Sequence, residues 1–431
     1  MSKNCFNAPR FTSGLWWIAV IGLLFIVVGC SALTGGQKRY AAKICDGTHD
    51  KNSFKAAAPD ANNSAASHHQ AGKSKPALGV QDTKLDAVLK AELDRRHILG
   101  GAIAIVRKGK IHFAKAYGPT NMETTDPITL NTRFWIGSIT KQFTAMAVMM
   151  LVEQGRVALD DKASKYLPEL PPSYDAIKVR HLLTHTSGIK RDFRRKSCPP
   201  FASESMTGSA LFEALKDAKL EYVPGTKRKY TNAGYVLLGM LIQQVSGKRY
   251  PDFLKTHIFD PLGMTETRSV GPEDVALERL AVGHEWQDKE RRHRSMAPIL
   301  GFSEGSIIST IVDMAKWDAA LYTDALVSLA TLRQIWTPHI LKNGKTASFG
   351  IDDQGIHYKI GFGWFVNDEP GNLIVHHGGN LDGNAAHIDR YVDEELTIIV
   401  LINTEPSAIA RGIARIVAFY HDHHMKSKHL K

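Results

Sequence analysis

The chain has 431 residues, 43% of them hydrophobic, and a formal net charge of +11. Such a length and composition exclude a largely disordered chain and allow a core shared by two or three lobes. No nucleic-acid-binding module or aromatic-basic stripe accompanies the positive charge, so no nucleic-acid partner is expected. Four cysteines are too few for a disulfide scaffold, and a pairing of Cys45 with Cys198 is left open.

The N-terminal segment has the pattern of an export signal. An uncharged apolar stretch runs from Leu15 to Gly29 behind Lys3 and Arg10. It leads into Val27-Val28-Gly29-Cys30, which resembles the lipobox of bacterial lipoproteins, where the signal is cut before a lipid-carrying cysteine. We predict that residues 1–30 are an export signal or membrane anchor and that Cys30 carries lipid. An uncleaved transmembrane anchor and plain secretion are the alternatives, and all three place the rest of the chain outside the cytoplasm.

Residues 31–80 are predicted to form a flexible linker, because they are rich in Ala, Ser, Asn, His, Lys and Gly and show no apolar periodicity. The folded part is predicted over residues 81–425, with a basic tail at 426–431. It begins with an amphipathic helix near Thr83, where leucines and a valine recur at helical spacing.

Strand-forming segments lie at both ends of the folded part. Residues 101–106 and 110–117 flank Lys108-Gly109 and are typical of a hairpin. The segment from 138 to 287 is mostly helical and is broken by prolines. Later segments are predicted as strands at 358–366, 373–377 and 387–402 and as a closing helix at 409–421. We therefore predict one sheet from about 81–137 and 298–425, with a helical lobe inserted at about 138–297.

The candidate chemistry is organised around Ser138 and Lys141. A lysine three positions after a serine on a helix lies on the same face, within reach of the hydroxyl. The helix is predicted to begin near Gly137, where unpaired backbone N–H groups favour developing negative charge. Residues 145–152 are apolar at every position, so the helix should be buried, and burial favours the uncharged amine that a base requires. Ser138 is thus the candidate nucleophile and Lys141 the candidate base.

Two further segments supply the other parts of an acyl-transfer site. Tyr230 is a candidate proton shuttle, and Asn232 is either a helix cap or a polar group that faces a cleft. The run from His376 through Gly378 to Gly379 closes a predicted strand. Consecutive glycines there let a substrate approach the backbone closely, and the Gly379 N–H is a candidate donor to the site.

These segments resemble the three motifs of the serine β-lactamase-like family in their order and approximate spacing: Ser138-x-x-Lys141, Tyr230-x-Asn232 and His376-x-Gly378. The family comprises class C β-lactamases, DD-carboxypeptidases, D-aminopeptidases, related esterases and penicillin-binding-protein-like hydrolases. Residues 181–188, 260–264 and 307–313 look like the same family, and the likeness covers about residues 83–420. It implies an α+β fold with a mostly antiparallel sheet flanked by helices and an inserted helical lobe.

The resemblance also implies a role for each residue. Ser138 would be acylated, while Lys141 and Tyr230 would share its proton and later activate water. Asn232 would orient the substrate amide, and the N–H groups of Ser138 and Gly379 would form the oxyanion hole. The predicted substrate-binding and oxyanion residues are Asn232, His376, Gly378 and Gly379. No metal and no organic cofactor is expected.

One departure from the family bears on the substrate. Class C β-lactamases have Lys-Thr-Gly as the third motif, where this chain has His376-His377-Gly378. A histidine offers positive charge to a β-lactam carboxylate only when protonated, near or below about pH 6.5. The esterase, D-aminopeptidase and penicillin-binding-like branches, which commonly have histidine here, fit better. Lys227, Arg228 and Lys229 are a further candidate for attracting an acidic substrate.

The sequence therefore predicts a serine hydrolase, attached to the membrane through its N-terminus in the periplasm or envelope of a bacterium. It would act through an acyl-enzyme on an ester or peptide amide of a small-molecule or peptide substrate. A β-lactam hydrolase or a DD- or D-amino-acid peptidase is one alternative. A non-catalytic envelope peptide-binding protein is another, and it would give no burst of acylation.

Two other patterns are weaker candidates. Gly301-x-Ser303-x-Gly305 matches a nucleophile elbow, but the segment before it is polar and basic rather than strand-like. His181 and His185 have the spacing of a zinc pair but lack the glutamate of the helical His-Glu-x-x-His pattern, so a structural role is expected.

Overall fold

The structure is a computed structural model, and it describes residues 77–79, 82–190, 215, 218–271, 277–287, 290–293, 302–351, 357–369, 372–381 and 383–422. The predicted export signal with Cys30, most of the linker, the other three cysteines and the basic tail lie outside the described residues. Within those residues, no helix combines the length and the apolar character needed to cross a membrane.

Helices and strands alternate unevenly along the described chain. The helices are α1 Thr83–Arg95, α2 Thr140–Glu153, α3 Val179–Leu183, α4 Asn232–Ser246, α5 Tyr250–Leu254, α6 Ile311–Ala320, α7 Leu329–Trp336 and α8 Ser407–Tyr420. The strands are β1 Ala77–Gly79, β2 Gly101–Arg107, β3 Lys110–Tyr117, β4 Phe134–Trp135, β5 Arg268–Ser269, β6 His284–Gln287, β7 Glu290–His293, β8 Ile307–Ser309, β9 Ser348–Ile351, β10 His357–Ile360, β11 Phe365–Glu369, β12 Asn372–Leu381, β13 Asn384–Tyr391 and β14 Leu396–Ile402.

The main sheet has the strand order β1-β3-β2-β14-β13-β12-β11-β10-β9 in the described part of the chain. Every neighbouring pair is antiparallel. The first three strands come from residues 77–117 and the other six from residues 348–402, with most of the helices between these two segments. The predicted α+β class with a mostly antiparallel sheet is therefore confirmed.

The predicted hairpin at Lys108-Gly109 is also confirmed. Both turn residues have positive φ, 49° at Lys108 and 68° at Gly109, which is the geometry that a two-residue hairpin turn requires. The predicted single strand at 387–402 is wrong, because it is interrupted by a second turn at residues 392–395. The chain reverses there between β13 and β14, and Glu395 has a φ of 49°.

The main sheet is covered on both faces. On one face, Ile103 of β2 and Val400 of β14 pack with Leu89 of α1 and Ile413 of α8. On the other, alternate residues of the same strands pack in a larger core that includes α2, α4 and α6. A strand buried on both faces has apolar residues at successive positions, as β14 does, whereas β13 is equally buried but includes His387, Asp389 and Arg390.

A short second sheet, β4-β8-β5, positions the start of α2. Phe134 and Trp135 of β4 pair with Ser309 and Ile308 of β8. The N–H of the next residue, Ile136, donates to the carbonyl oxygen of Ile307 at 3.1 Å. Because this hydrogen bond continues the pairing to the edge of the turn before α2, the position of that turn is tied to a buried strand.

Candidate active site

Ser138 lies in a tight turn between β4 and α2. Residues Gly137–Ile139 form one turn of 3₁₀-helix that continues into α2, so Ser138 stands at the helix N-terminus. Gly137 has a φ of +49°, and a Cβ added there would lie 2.7 Å from the backbone nitrogen of Asn380 in β12. Only glycine allows the turn and the strand to come this close.

Lys141 is in the first turn of α2, and its side chain is fully buried. Its Nζ donates a hydrogen bond to Ser138 Oγ at 3.0 Å and another to the carbonyl oxygen of Glu304 at 2.8 Å. The surrounding helix is buried along nearly its whole length, as expected from its apolar run. The amine is therefore within hydrogen-bonding distance of the serine hydroxyl and is shielded from bulk water.

Tyr230 approaches the same hydroxyl from the segment that precedes α4. Its OH donates to Ser138 Oγ at 3.0 Å. The Lys141 Nζ lies 5.1 Å from the centre of the Tyr230 ring. Ser138 Oγ is thus contacted by an amine from α2 and by a phenol from the segment that precedes α4.

His185 packs against the ring of Tyr230. Its ring is stacked on the Tyr230 ring at a centroid distance of 4.2 Å, and its Nδ1 lies 3.3 Å from the N–H of Thr231, which donates to it. Burial and the nearby Lys141 hold the pKa of His185 well below its usual range. The imidazole is therefore neutral and adds no charge beside Lys141. It packs against the site without touching Ser138, a supporting role that fits the expectation for His185.

Asn232 is the first residue of α4, and Thr231 is the residue that precedes the helix. The Asn232 Oδ1 is buried and has no hydrogen-bond partner in the described part of the chain. The alternative in which Asn232 caps the helix is therefore not what the structure shows. Its Oδ1 atom is therefore available to accept a hydrogen bond from a bound molecule.

The structure corrects the predicted third motif by one residue. In β12, His377 and Gly379 share the face that contacts the Ser138 turn, whereas His376 and Gly378 face α8. The His377 ring lies 6.4 Å from that of Tyr230, and a Cβ added to Gly379 would lie 3.3 Å from the Ser138 nitrogen. The physical reason is the two-residue period of a strand, which sends adjacent histidines to opposite faces.

The pairing of β12 with β13 corrects the predicted oxyanion donor in the same way. The Val392 N–H donates to the carbonyl of Leu373, so the backbone groups of Leu373 point toward β13. In an antiparallel ladder this direction alternates along the strand, and Gly379 has the same parity as Leu373. The Gly379 N–H therefore points to its partner Ala386, and the Asn380 N–H points to the open edge beside Ser138.

His377 is nearly inaccessible to solvent. Burial lowers the pKa of His377 to about 3, and Lys141, whenever its amine is protonated, adds to this effect. Two adjacent histidines thus occupy different surroundings, and no sequence signal separates them, because Ile374 and Val375 before them are both apolar. Which of the two histidines faces Ser138 can therefore be assigned only when the residues packed against each face of β12 are known.

The two weaker candidates have structural roles. The Ser303 hydroxyl is buried and donates to the Tyr235 carbonyl at 2.8 Å, so it is not presented to a substrate. His181 accepts a hydrogen bond from the Lys178 N–H and lies beside His339, away from the surroundings of His185. Neither histidine belongs to a group of three or more metal-ligating side chains in the described part of the chain.

Two of the three basic residues that precede Tyr230 form contacts with other parts of the protein. Arg228 donates to the carbonyls of Ser348 and Phe349 in β9, and its guanidinium lies 4.3 Å from the centre of the Phe349 ring. Lys229 forms an ion pair with Glu221 at 2.7 Å. These contacts position the segment that carries Tyr230, and Lys227 is left exposed.

An antiparallel sheet flanked by helices, with serine, lysine and tyrosine meeting where a buried helix begins, defines a chain of the serine-hydrolase class that includes penicillin-binding proteins. The family model described as Beta-lactamase matches residues 85–421, and the chain belongs to that family.

Similarity to individual proteins is consistent with this family assignment. The chain is 30% identical over 331 residues to penicillin-binding protein 4* of Bacillus subtilis, covering 73% of this chain and 70% of that protein. It is 26% identical over 347 residues to protein flp of Staphylococcus aureus, covering 77% of this chain and 65% of that protein's length. Among solved structures, the octameric penicillin-binding protein homologue from Pyrococcus abyssi aligns with a TM-score of 0.64 at 28% identity, covering 78% of this chain and 77% of that one.

Proposed function

We propose that this protein is a serine hydrolase that forms an acyl-enzyme at Ser138 and cleaves an ester or a peptide amide. The observation that carries the proposal is the position of Ser138 Oγ, 3.0 Å from both Lys141 Nζ and Tyr230 OH. Two groups that exchange protons within hydrogen-bonding distance of one hydroxyl are what nucleophilic catalysis by serine requires.

In the proposed acylation step, Ser138 Oγ attacks the substrate carbonyl carbon. Its proton passes to the neutral Lys141 amine and then, through Tyr230, to the leaving group. In the second step a water molecule loses a proton to the same pair and attacks the acyl carbon, and Ser138 recovers its proton. The burial of Lys141 supports this sequence, because desolvation favours the amine over the ammonium form.

The oxyanion of each tetrahedral intermediate is proposed to lie between two backbone N–H groups. One belongs to Ser138 at the N-terminus of α2, and the other to Asn380 at the open edge of β12. Donors held by a helix and a strand need no rearrangement as charge develops. Asn232, whose Oδ1 has no partner among the described residues, is proposed to accept a hydrogen bond from the substrate amide.

The proposed substrate is an ester or peptide amide rather than a β-lactam. The third motif has histidine where class C β-lactamases have lysine, and His377 is the histidine that faces Ser138. A D-amino-acid peptidase or a β-lactam hydrolase uses the same nucleophile, so the substrate panel decides between them.

The hydrolase is further proposed to work outside the cytoplasm, held by lipid on Cys30. Labelled palmitate should enter the wild-type chain and not the Cys30→Ser variant.

The test combines a covalent probe with a substrate panel. A fluorophosphonate probe should label the wild type and Ser303→Ala, and it should not label Ser138→Ala. p-Nitrophenyl esters, D-aminoacyl p-nitroanilides and nitrocefin then rank the substrate classes by kcat/KM. Equal labelling of Ser138→Ala would remove Ser138 as the nucleophile. Absence of any acylation burst with activated esters would instead favour a peptide-binding protein that uses the same pocket.

A further inference from the structure

A cluster of metal-ligating side chains lies on the face of the main sheet opposite Ser138. Strand pairing places His376 of β12 directly across from Asp389 of β13, and His387 two residues before Asp389 on the same face. One donor atom from each of the three lies within 4.8 Å of the other two. All three side chains are buried, with exposed fractions of 5%, 2% and 7% for His376, His387 and Asp389.

The hydrogen bonds of the cluster are incomplete. His387 Nε2 lies 2.7 Å from Asp389 Oδ1. Both ring nitrogens of His376 and the Nδ1 of His387 are buried and have no hydrogen-bond partner in the described part of the chain. A buried imidazole nitrogen without a partner destabilises the fold, and proteins rarely retain one without a ligand or water to satisfy it.

We propose that His376, His387 and Asp389 form a structural site for a divalent transition metal, with Zn²⁺ as the preferred ion. Two imidazoles and one carboxylate are a donor set that Zn²⁺ accepts with a water molecule as the fourth ligand. In a tetrahedral Zn²⁺ site the donor atoms are about 3.3 Å apart, so the present donors need to close by at most about 1.5 Å. Rotation of the two imidazole rings supplies such a movement.

The electrostatic surroundings are compatible with this assignment. Burial lowers the pKa of His376 to about 3, so this ring is neutral and ready to donate a lone pair. Burial alone would raise the pKa of Asp389, but His387, which is hydrogen-bonded to the carboxylate, outweighs it, so the pKa is lowered and the carboxyl is ionised. Arg411 and Arg415 of α8 are the cationic groups near the cluster; both line an open pocket, and Arg415 donates a hydrogen bond to the Tyr358 hydroxyl at 2.7 Å.

Metal binding requires one change in the existing contacts. If the Nε2 of His387 carries the proton of its hydrogen bond to Asp389, the ring has to change tautomer: Nδ1 takes up a proton as Nε2 releases its own, so the imidazole stays neutral while Nε2 binds the metal. The bound ion would join β12 to β13 directly behind His377 and Gly379, which face Ser138. The proposal concerns this metal-mediated link between β12 and β13 and does not depend on Ser138 being a nucleophile.

The experiment compares metal content and stability in matched variants of the full chain, purified in detergent. The chain is refolded with Zn²⁺ after treatment with a chelator, and bound zinc is measured by mass spectrometry. The test variants are His376→Gln and Asp389→Asn, the second of which keeps the size of the side chain and a hydrogen bond to His387. The matched control is His339→Gln, a histidine outside the cluster, because the 19 histidines of the chain provide adventitious binding.

The wild type and His339→Gln should bind one more equivalent of zinc than either test variant. Their Tm should rise by about 5 °C on zinc addition, while the Tm of the test variants should not change. Cobalt in place of zinc should give the visible absorption of a tetrahedral complex in the wild type and lose it in both test variants. The same zinc content and the same Tm response in all four proteins would overturn the proposal.

Discussion

Replacing Lys141 by methionine tests the mechanism most directly. Methionine has a similar unbranched side chain, so it fills the buried space while removing the amine. The change takes away the two hydrogen bonds of Nζ, one to Ser138 Oγ and one to the Glu304 carbonyl. Tyr230 keeps its own contact with Ser138 Oγ.

The size of the effect follows from what each lost contact does. Positioned general-base catalysis contributes about 10² to 10⁴ in rate, so kcat/KM for an activated ester should fall by that factor, equivalent to about 3 to 5 kcal/mol. A buried carbonyl left without its donor costs about 1 to 3 kcal/mol of stability. Removing a buried amine offsets part of this cost, so the variant should remain folded at assay temperature.

The assay is the burst and steady-state hydrolysis of a p-nitrophenyl ester, measured beside thermal unfolding of the same preparation. Lys165→Met is the matched control, because the Lys165 side chain is 61% exposed and pairs with Asp161 at the surface. The control should keep wild-type kinetics. If Lys141→Met is folded and its kcat/KM stays within tenfold of the wild type, the amine is not the base and the proposed proton path is wrong.

Three further outcomes are expected. Gly379→Ala should lower kcat/KM at least tenfold, since the added Cβ would lie 1.8 Å from a backbone carbonyl oxygen beside Ser138, and single-turnover acylation would measure the loss. Asp318→Ala should lower the free energy of unfolding by about 3 to 5 kcal/mol in guanidinium titrations, because the fully buried Arg390 loses the carboxylate that it contacts at 2.6 Å. For His181, burial lowers the pKa to about 4, so the unfolded chain binds a proton below pH 6.5 that the folded chain does not. Its contribution to stability is complete above pH 6.5 and falls by no more than about 3 kcal/mol as the pH drops to 4. The difference in unfolding free energy between wild type and His181→Gln should narrow over that window and stay constant below it.

Features set by local chemistry were predictable from the sequence. The turn at Lys108-Gly109 follows from the tolerance of glycine for positive φ between two apolar runs. The geometry of Ser138 and Lys141 follows from the spacing of side chains along one helix, because residues three apart share a face. Each of these inferences needs information from one short continuous segment of the sequence only.

Features set by the environment of a strand were not predictable in the same way. The segment 387–402 was predicted as one strand because it contains no glycine or proline to mark the turn at residues 392–395. Burial of β12 on both faces hid which of His376 and His377 faces Ser138. Period-two reasoning fails when both faces are apolar, since either parity then fits a core.

The arrangement of β12 connects the two proposals through the backbone. A strand assigns successive side chains to opposite faces and successive N–H groups to opposite edges. His377 and Gly379 therefore meet the Ser138 turn, His376 faces the proposed metal cluster, and the Asn380 N–H remains free of the β13 ladder. Because Gly137 and Gly379 hold the turn and the strand at backbone contact, the distance between the two proposed oxyanion donors depends on where β12 lies. An ion that joined β12 to β13 on the far face would stabilise that position without touching the substrate.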